Sequence, residues 1–313
     1  MRFRIFVCAL FSCAALLLPR IFHIQTSTAP PERVLRPALP PPREWSGARH
    51  LIMVAGHSVY IGASRTAEDV EREENWYLES YQKGQLKTML SHIRRGTDLA
   101  ADDNASLLVF SGGETRATAG PRSEASSYWE AANALGYFDR GTVRARSLLE
   151  VQARDSLENL LFSVARFRQA SGRYPESITV VSFGFKQRRF TELHRAALRF
   201  PQSRFHYVGL DPPHLRTDVL ASELSHSSKP FEFDPYGCGR SELTDKREAR
   251  NPFRRGAPAA AYVSSCPEIA PLLEHCLPSY FAGPLPWSAR PGDDEDVHGV
   301  AGRHPRVANS RFA

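Results

Sequence analysis

No Gly-x-Ser-x-Gly elbow, His-Glu-x-x-His pair, Walker loop or complete Gly-x-Gly-x-x-Gly fingerprint occurs in the 313 residues. Their absence removes the α/β-hydrolase serine, the zincin metal site, the P-loop and the standard dinucleotide turn as sources of function. Cysteine is sparse, with five in all. Cys8 and Cys13 fall in an apolar run, and Cys238, Cys266 and Cys276 lack metal-ligand spacing. Three such residues allow at most one disulfide among them. No basic stripe interleaved with aromatics is present either. The pI is near 9.2, yet 40 basic residues face 34 acidic ones and the arginines are scattered. The charge reads as a solvated surface, and no nucleic-acid partner is expected.

What is present begins with Arg2 and Arg4, an apolar or small run over 5–18, Pro19-Arg20, and a short apolar stretch at 21–24. About 14 helical residues span about 21 Å against a hydrocarbon core of about 30 Å. Residues 1–24 therefore read as a signal peptide or, since no clean small-x-small cleavage site follows, a retained signal anchor. This places the chain at a membrane of the secretory pathway, endoplasmic reticulum or Golgi, with a lumenal domain. The arginine-bearing segment, acid-free up to Glu32, makes a mitochondrial presequence the alternative. Asn104-Ala105-Ser106 is a glycosylation acceptor pattern consistent with a lumen. Residues 25–48 form a proline-rich spacer, 49–281 the folded domain, and 282–313 a disordered tail.

Within the domain, residues 50–55, 106–110, 143–151, 178–183 and 204–210 read as strands, several of them near-continuous apolar runs. Helical spacing appears over 68–95, where Thr66 and Asp69 mark the start, and again over 124–135, 156–169 and 185–200. Residues 211–256 wrap the sheet with short helices near Val219 and Leu243, 259–263 add a late strand, and 267–276 a short helix. The alternation predicts an α/β fold, a Rossmann-like three-layer sandwich with a mostly parallel sheet. Ligands then sit in the crevice at the strand carboxyl ends.

Five segments in order, Ser111-Gly112-Gly113, Ser123-Glu124-Ala125, Glu150, Asp155-Ser156-Leu157-Glu158-Asn159 and Val181-Ser182-Phe183-Gly184-Phe185-Lys186-Gln187-Arg188-Arg189, carry a likeness over roughly residues 50–210. The pattern resembles the YdcF-like family of unknown function, which includes the bacterial SanA and ElyC proteins, and more closely its eukaryotic, largely fungal branch. Ser156 stands where the family commonly has threonine, and Lys186 where bacterial members usually carry histidine. The resemblance implies a Rossmann-like fold and makes S-adenosylmethionine a candidate ligand, without an established reaction.

The candidate residues each have a chemical reason and a plainer alternative. Ser111, Gly112 and Gly113 are placed to cradle a phosphate or carboxylate with backbone N–H groups, or simply to make a tight turn. Arg116 and Arg122 flank that turn as possible anion clamps. Glu124 sits in a helix's first turn, where the macrodipole alone favours it. Glu150 directly follows a strand, where an acid reaches a ribose hydroxyl or activates water. Asp155 and Glu158 are spaced as a capping pair, whereas Ser156 and Asn159 exceed what capping needs. Lys186, Arg188 and Arg189 open a helix after the clearest strand and offer positive charge to the crevice. His57 and His194 are weaker candidates.

The expected ligand is small and anionic or nucleotide-like. One class of function is a hydrolase or transferase on a phosphorylated or glycosylated lipid or sugar, with Glu150 or Glu124 as base. The other is a non-catalytic module for S-adenosylmethionine or a similar nucleotide. A membrane-associated scaffold is a weaker third. No spacing demands a metal.

Overall fold

Near-continuous apolar runs become strands enclosed on both faces. β1 (His50–Ala55) leads, followed by a small antiparallel ladder of β2 (Val59–Tyr60) and β3 (Trp76–Tyr77). β4 (Ser106–Ser111), β5 (Ser147–Glu150), β6 (Ser177–Ser182) and β7 (Phe205–Gly209) join β1 in a five-stranded parallel sheet of order β5-β4-β1-β6-β7. The strand order reverses between β1 and β6, whose registers pair Val54 with Val181. In a doubly wound sheet such a reversal opens a crevice beyond the carboxyl ends. This computed structural model describes residues 45–214, 217–239, 242–254 and 256–288. The N-terminal apolar segment, most of the proline-rich spacer and the tail beyond 288 lie outside them.

Alternation along the strands feeds two cores. Ile52, Val54, Leu108 and Phe110 pack with Met89, Ile93, Tyr128 and Ala132. These belong to α2 (Leu86–Asp102) and α3 (Glu124–Ala134), which follow the short α1 (Ala67–Val70). On the other face, Leu51, Met53, Leu107 and Val109 pack with Leu160, Val164 and Phe167 of α4 (Ser156–Ser171). A buried side chain of this size contributes roughly 1.5–3 kcal/mol as an upper bound, against about 1 kcal/mol for a helix cap. The two apolar faces therefore set the three-layer, Rossmann-like arrangement, and the caps only trim it.

The structure differs from the sequence expectation in several places. Thr66 does cap a helix, accepting from the Asp69 N–H at 3.1 Å. That helix stops at Val70, however, because Trp76 turns inward, donates to the Val70 carbonyl at 2.8 Å and packs edge-on against Tyr60. Gly84, at φ +79°, makes the next break before α2. β5 is shorter than expected, since residues 141–146 form a 3₁₀ turn in which Arg146 bonds the Ala100, Asp103 and Ser106 carbonyls. Residues 185–200 are not one regular helix. A π-helical segment Arg189–His194 runs into α5 (Arg195–Ala197), and its extra residue per turn keeps both Arg189 and His194 buried.

The remainder comprises α6 (Thr217–Glu223), a second π segment Leu224–Ser228, α7 (Lys229–Phe233) and α8 (Glu242–Ala249). The expected strand at 259–263 is instead α9 (Ala260–Val263), which packs Tyr262 on Phe162 of α4. α10 (Ala270–Leu273) follows. Cys238 and Cys276 are disulfide-bonded and Cys266 is buried and free. Folding also extends past 281, since Leu285 and Trp287 are core residues and Trp287 donates to the Leu198 carbonyl at 2.7 Å. Among the described residues no helix is long and apolar enough to cross a membrane.

Candidate functional site

A cavity of about 400 Å³ lies at the strand carboxyl ends, walled by the segments after β1 and β6, by the start of α3 and α4, and by α6 and α8. Arg116, Glu124, Asp155, Ser156, Asn159, Lys186 and Arg189 all line it. Ser111, Gly112, Gly113 and Glu150 do not. The expected convergence therefore holds for seven of these candidate residues and fails for the turn after β4 and the acid after β5.

The turn cannot act as the expected anion cradle. The Gly112 N–H is bonded to the Glu150 carbonyl at 3.0 Å and the Gly113 N–H to the Ala153 carbonyl at 2.7 Å. Glycine is required there for close approach: a Cβ on Gly113 would lie 2.6 Å from the Ala153 oxygen, and one on Gly112 2.8 Å from Glu124 Cβ. Since a backbone carbonyl cannot move aside cheaply, Gly113→Ala is expected to destabilise the domain by about 1–3 kcal/mol, read as a lower urea midpoint. An unchanged midpoint would mean that the loop at 151–153 yields freely.

Glu150 is fully buried behind the cavity wall. Its Oε1 accepts from the Gln152 N–H at 2.7 Å and from the Tyr262 hydroxyl at 2.9 Å. Burial pushes its carboxyl up to about 7 in spite of these bonds and the one to Ser111. Ser111 Oγ lies 2.7 Å from Glu150 Oε2 and 3.0 Å from Asn159 Oδ1. One hydroxyl proton cannot serve two acceptors. Ser111 donates to the ionised Glu150; once Glu150 takes up a proton it donates to Ser111 instead, which frees the serine proton for Asn159. Glu150 is thus a positioning residue for Asn159, without access to a ligand, and its expected role as the reacting base does not fit its place in the fold.

Asp155 and Glu158 take the plainer of their two readings. Asp155 caps α4 by accepting from the Glu158 N–H at 2.9 Å, and its other oxygen receives Arg247 Nε at 2.6 Å. Burial opposes the charge, but Arg247 outweighs it and holds the carboxyl down to about 2. Glu158 pairs with Arg154 at 2.5 Å. Ser156 Oγ is 2.7 Å from His194 Nε2. His194 is held neutral by burial and by the neighbouring Arg189 charge, and its Nδ1 is buried without a partner. A bare acceptor costs less than an orphaned N–H, so the proton belongs on Nε2, donating to Ser156. The serine O–H is then available to the cavity.

The opposite wall is cationic. Arg189 is 7% exposed; its Nε sits 3.1 Å from Glu223 as an ion pair but makes no hydrogen bond among the described residues. Lys186 Nζ is 3.2 Å from His57 Nδ1, and His57 Nε2 is 3.0 Å from Ser182 Oγ. Burial first, and then Lys186, hold the His57 pKa well below its ordinary value. Arg250 touches the wall and bonds the Arg154 carbonyl at 3.1 Å. Neither Lys186 nor Arg250 has a carboxylate in ion-pair distance among the described residues. Arg116 is 3.4 Å from Glu79. Arg122 bonds the Tyr60 carbonyl instead of facing the cavity, and Arg188 is exposed, pairing with Glu192 and Glu232. Glu124 accepts from the Thr115 hydroxyl and is the acid at the start of α3 that borders the open space.

Arg247 and Arg250 were not singled out by the sequence reading. Their one signal was a spacing of three on a helix, and which face of that helix meets the sheet is decided by contacts far away in the chain. The acid after β5 that would reach the ribose of a nucleotide such as S-adenosylmethionine is sealed behind the wall, while Glu124, Asp155, Asp218 and Glu223 border the cavity together with Lys186, Arg189 and Arg250. Among the described residues no group of three or more His, Cys, Asp or Glu is placed to hold a metal ion.

A Saccharomyces cerevisiae protein, Uncharacterized protein YOR238W, is 26% identical over 266 residues, covering 67% of this chain and 86% of the yeast protein. No family model matches the chain, and no solved structure matches it.

Proposed function

We propose that the cavity binds a small anionic ligand through a phosphate or carboxylate group. The observation that carries this reading is Arg189, a buried guanidinium beside Glu223 whose Nε makes no hydrogen bond, next to Lys186 and Arg250, which have no carboxylate in ion-pair distance among the described residues. A wall of excess positive charge in a low-dielectric cleft calls for a counter-charge from outside. Ser156 and Asn159 would then bind the neutral polar part of the ligand. The reading extends to a hydrolase or transferase on a phosphorylated lipid or sugar, with Glu124 as the cavity-facing acid able to take a proton.

The strand-end motifs support assigning the chain to the eukaryotic branch of the YdcF-like proteins. A lumenal location at a membrane of the secretory pathway is supported by the N-terminal apolar run, the Cys238–Cys276 disulfide and the exposed Asn104.

Calorimetric titration with phenyl phosphate tests the anion site. Saturable binding is expected to weaken about 10- to 100-fold in Arg189→Ala, the equivalent of one or two charge-assisted hydrogen bonds. Affinity should also fall with added salt. No saturable binding of phosphate or carboxylate compounds, or an Arg189→Ala protein that binds as well as wild type, would remove the proposal.

A further inference from the structure

We propose that Lys186 is an imine-forming lysine, so that the ligands of this cavity include anionic carbonyl compounds such as a 2-oxo acid or a phosphorylated aldehyde. The proposal rests on the anion-binding reading of the same cavity and names the substrate class for it.

Lys186 follows β6 at the strand-order reversal, where its Nζ reaches the cavity. It has no carboxylate partner among the described residues, and its nitrogen lies 5.3 Å and 5.7 Å from the ring centres of Phe183 and Phe185. Its polar neighbour is a neutral imidazole. The His57 Nδ1 accepts from Nζ at 3.2 Å, which places the imidazole proton on Nε2, donating to Ser182. Arg189 and Arg250 share the wall. The ring contacts by themselves favour the ammonium, whereas a cleft shared with two further cations, Arg189 and Arg250, is a setting in which lysine acts as a nucleophile. Burial, followed by the Arg189 charge, pushes this amine down to about 7, against the opposing pull of Glu223 and Glu124. A substantial fraction then carries a lone pair at neutral pH.

The step is balanced without a cofactor. The neutral amine adds to the carbonyl carbon, forming a C–N bond, while the C=O electron pair moves to oxygen and takes a proton from nitrogen. The C–O bond then breaks, the second nitrogen proton leaves with the departing water, and the imine remains. No atom is oxidised or reduced. Arg189 and Arg250 would hold the anionic group of the compound throughout.

The full chain is incubated at pH 7 with glyoxylate or glyceraldehyde 3-phosphate and reduced with cyanoborohydride, and the secondary amine is located by peptide mass spectrometry. Lys186 is expected to be trapped about tenfold or more faster than the exposed Lys83, Lys87 and Lys229. Phenyl phosphate should suppress trapping at Lys186 alone. Lys186→Arg, which has no nucleophilic amine, should leave only the slow trapping of the exposed lysines. Trapping no faster than at the exposed lysines, with phosphate still bound, would overturn the imine proposal and leave the anion site standing. Failure of wild type to bind phosphate or glyoxylate would overturn both.

Discussion

Arg247→Ala is expected to destabilise the domain by about 3–5 kcal/mol, the usual cost of removing one partner from a buried ion pair. Arg247 reaches across from α8 to Asp155 at 2.6 Å and Glu158 at 3.5 Å, and it also donates to the Tyr236 and Gly237 carbonyls at 2.6 and 2.8 Å. Truncation leaves two buried carboxylates and two carbonyls short of a donor. The loss is measured as a lower urea midpoint at unchanged m-value. Two further results follow from the same network. Arg247→Met combined with Asp155→Asn should recover much of the loss, because the uncompensated charge goes with the arginine. In wild type, the share of stability due to Asp155 is fully present above its unfolded pKa of 3.8 and is lost as pH falls through about 2. An Arg247→Ala protein within 1 kcal/mol of wild type would show that water replaces the guanidinium at the head of α4.

Glu150→Gln is expected to be more stable than wild type at pH 8 and to lose that advantage at acid pH. The Glu150 carboxyl rises from 4.5 to about 7 on folding, so between these values the native state binds more protons than the unfolded state. Stability attributable to this group therefore falls as pH rises through that window, by about 3 kcal/mol in all. His57, His194 and Lys186, whose pKa values are lowered on folding, act in the opposite direction. The difference between wild type and Glu150→Gln isolates the glutamate. Glutamine keeps an oxygen for the Gln152 N–H and Tyr262, and its amide donates to Ser111 as the protonated acid does. Asn159, and with it ligand binding, should be little changed. Parallel stability curves for the two proteins from pH 5 to 8 would refute the proton placement in this relay.

The contrast between Asp155 and Glu150 shows how far the chain could be read in advance. Asp155 caps a helix three residues along the chain, a local relation visible in the string Asp155-Ser156-Leu157-Glu158. Glu150 was placed correctly at the end of a strand, but its chemistry depends on Tyr262, which lies 112 residues away. The segment at 259–263 was expected as a strand, which left that hydroxyl out of reach of any sequence argument. The two glycines after β4 were identified as special positions, for an anion cradle or a tight turn, and it is the second, conformational reason that the structure bears out. Their scarcity of side-chain atoms serves the approach of Ala153 and Glu124, and their N–H groups are taken by protein carbonyls.

The amino-acid order by itself determined the alternation of elements and hence the parallel sheet, because hydrophobic periodicity and capping act over a few residues. It also determined that charged and polar groups would gather at one end of the strands. Only the tertiary structure decided which of them face open space. Whether a carboxylate stays charged, a lysine loses its proton or an arginine Nε goes without a hydrogen bond is settled by desolvation and by neighbours brought from distant parts of the chain. The contact of Arg247 with Asp155, 92 positions apart, is of that kind, and no local pattern encodes it.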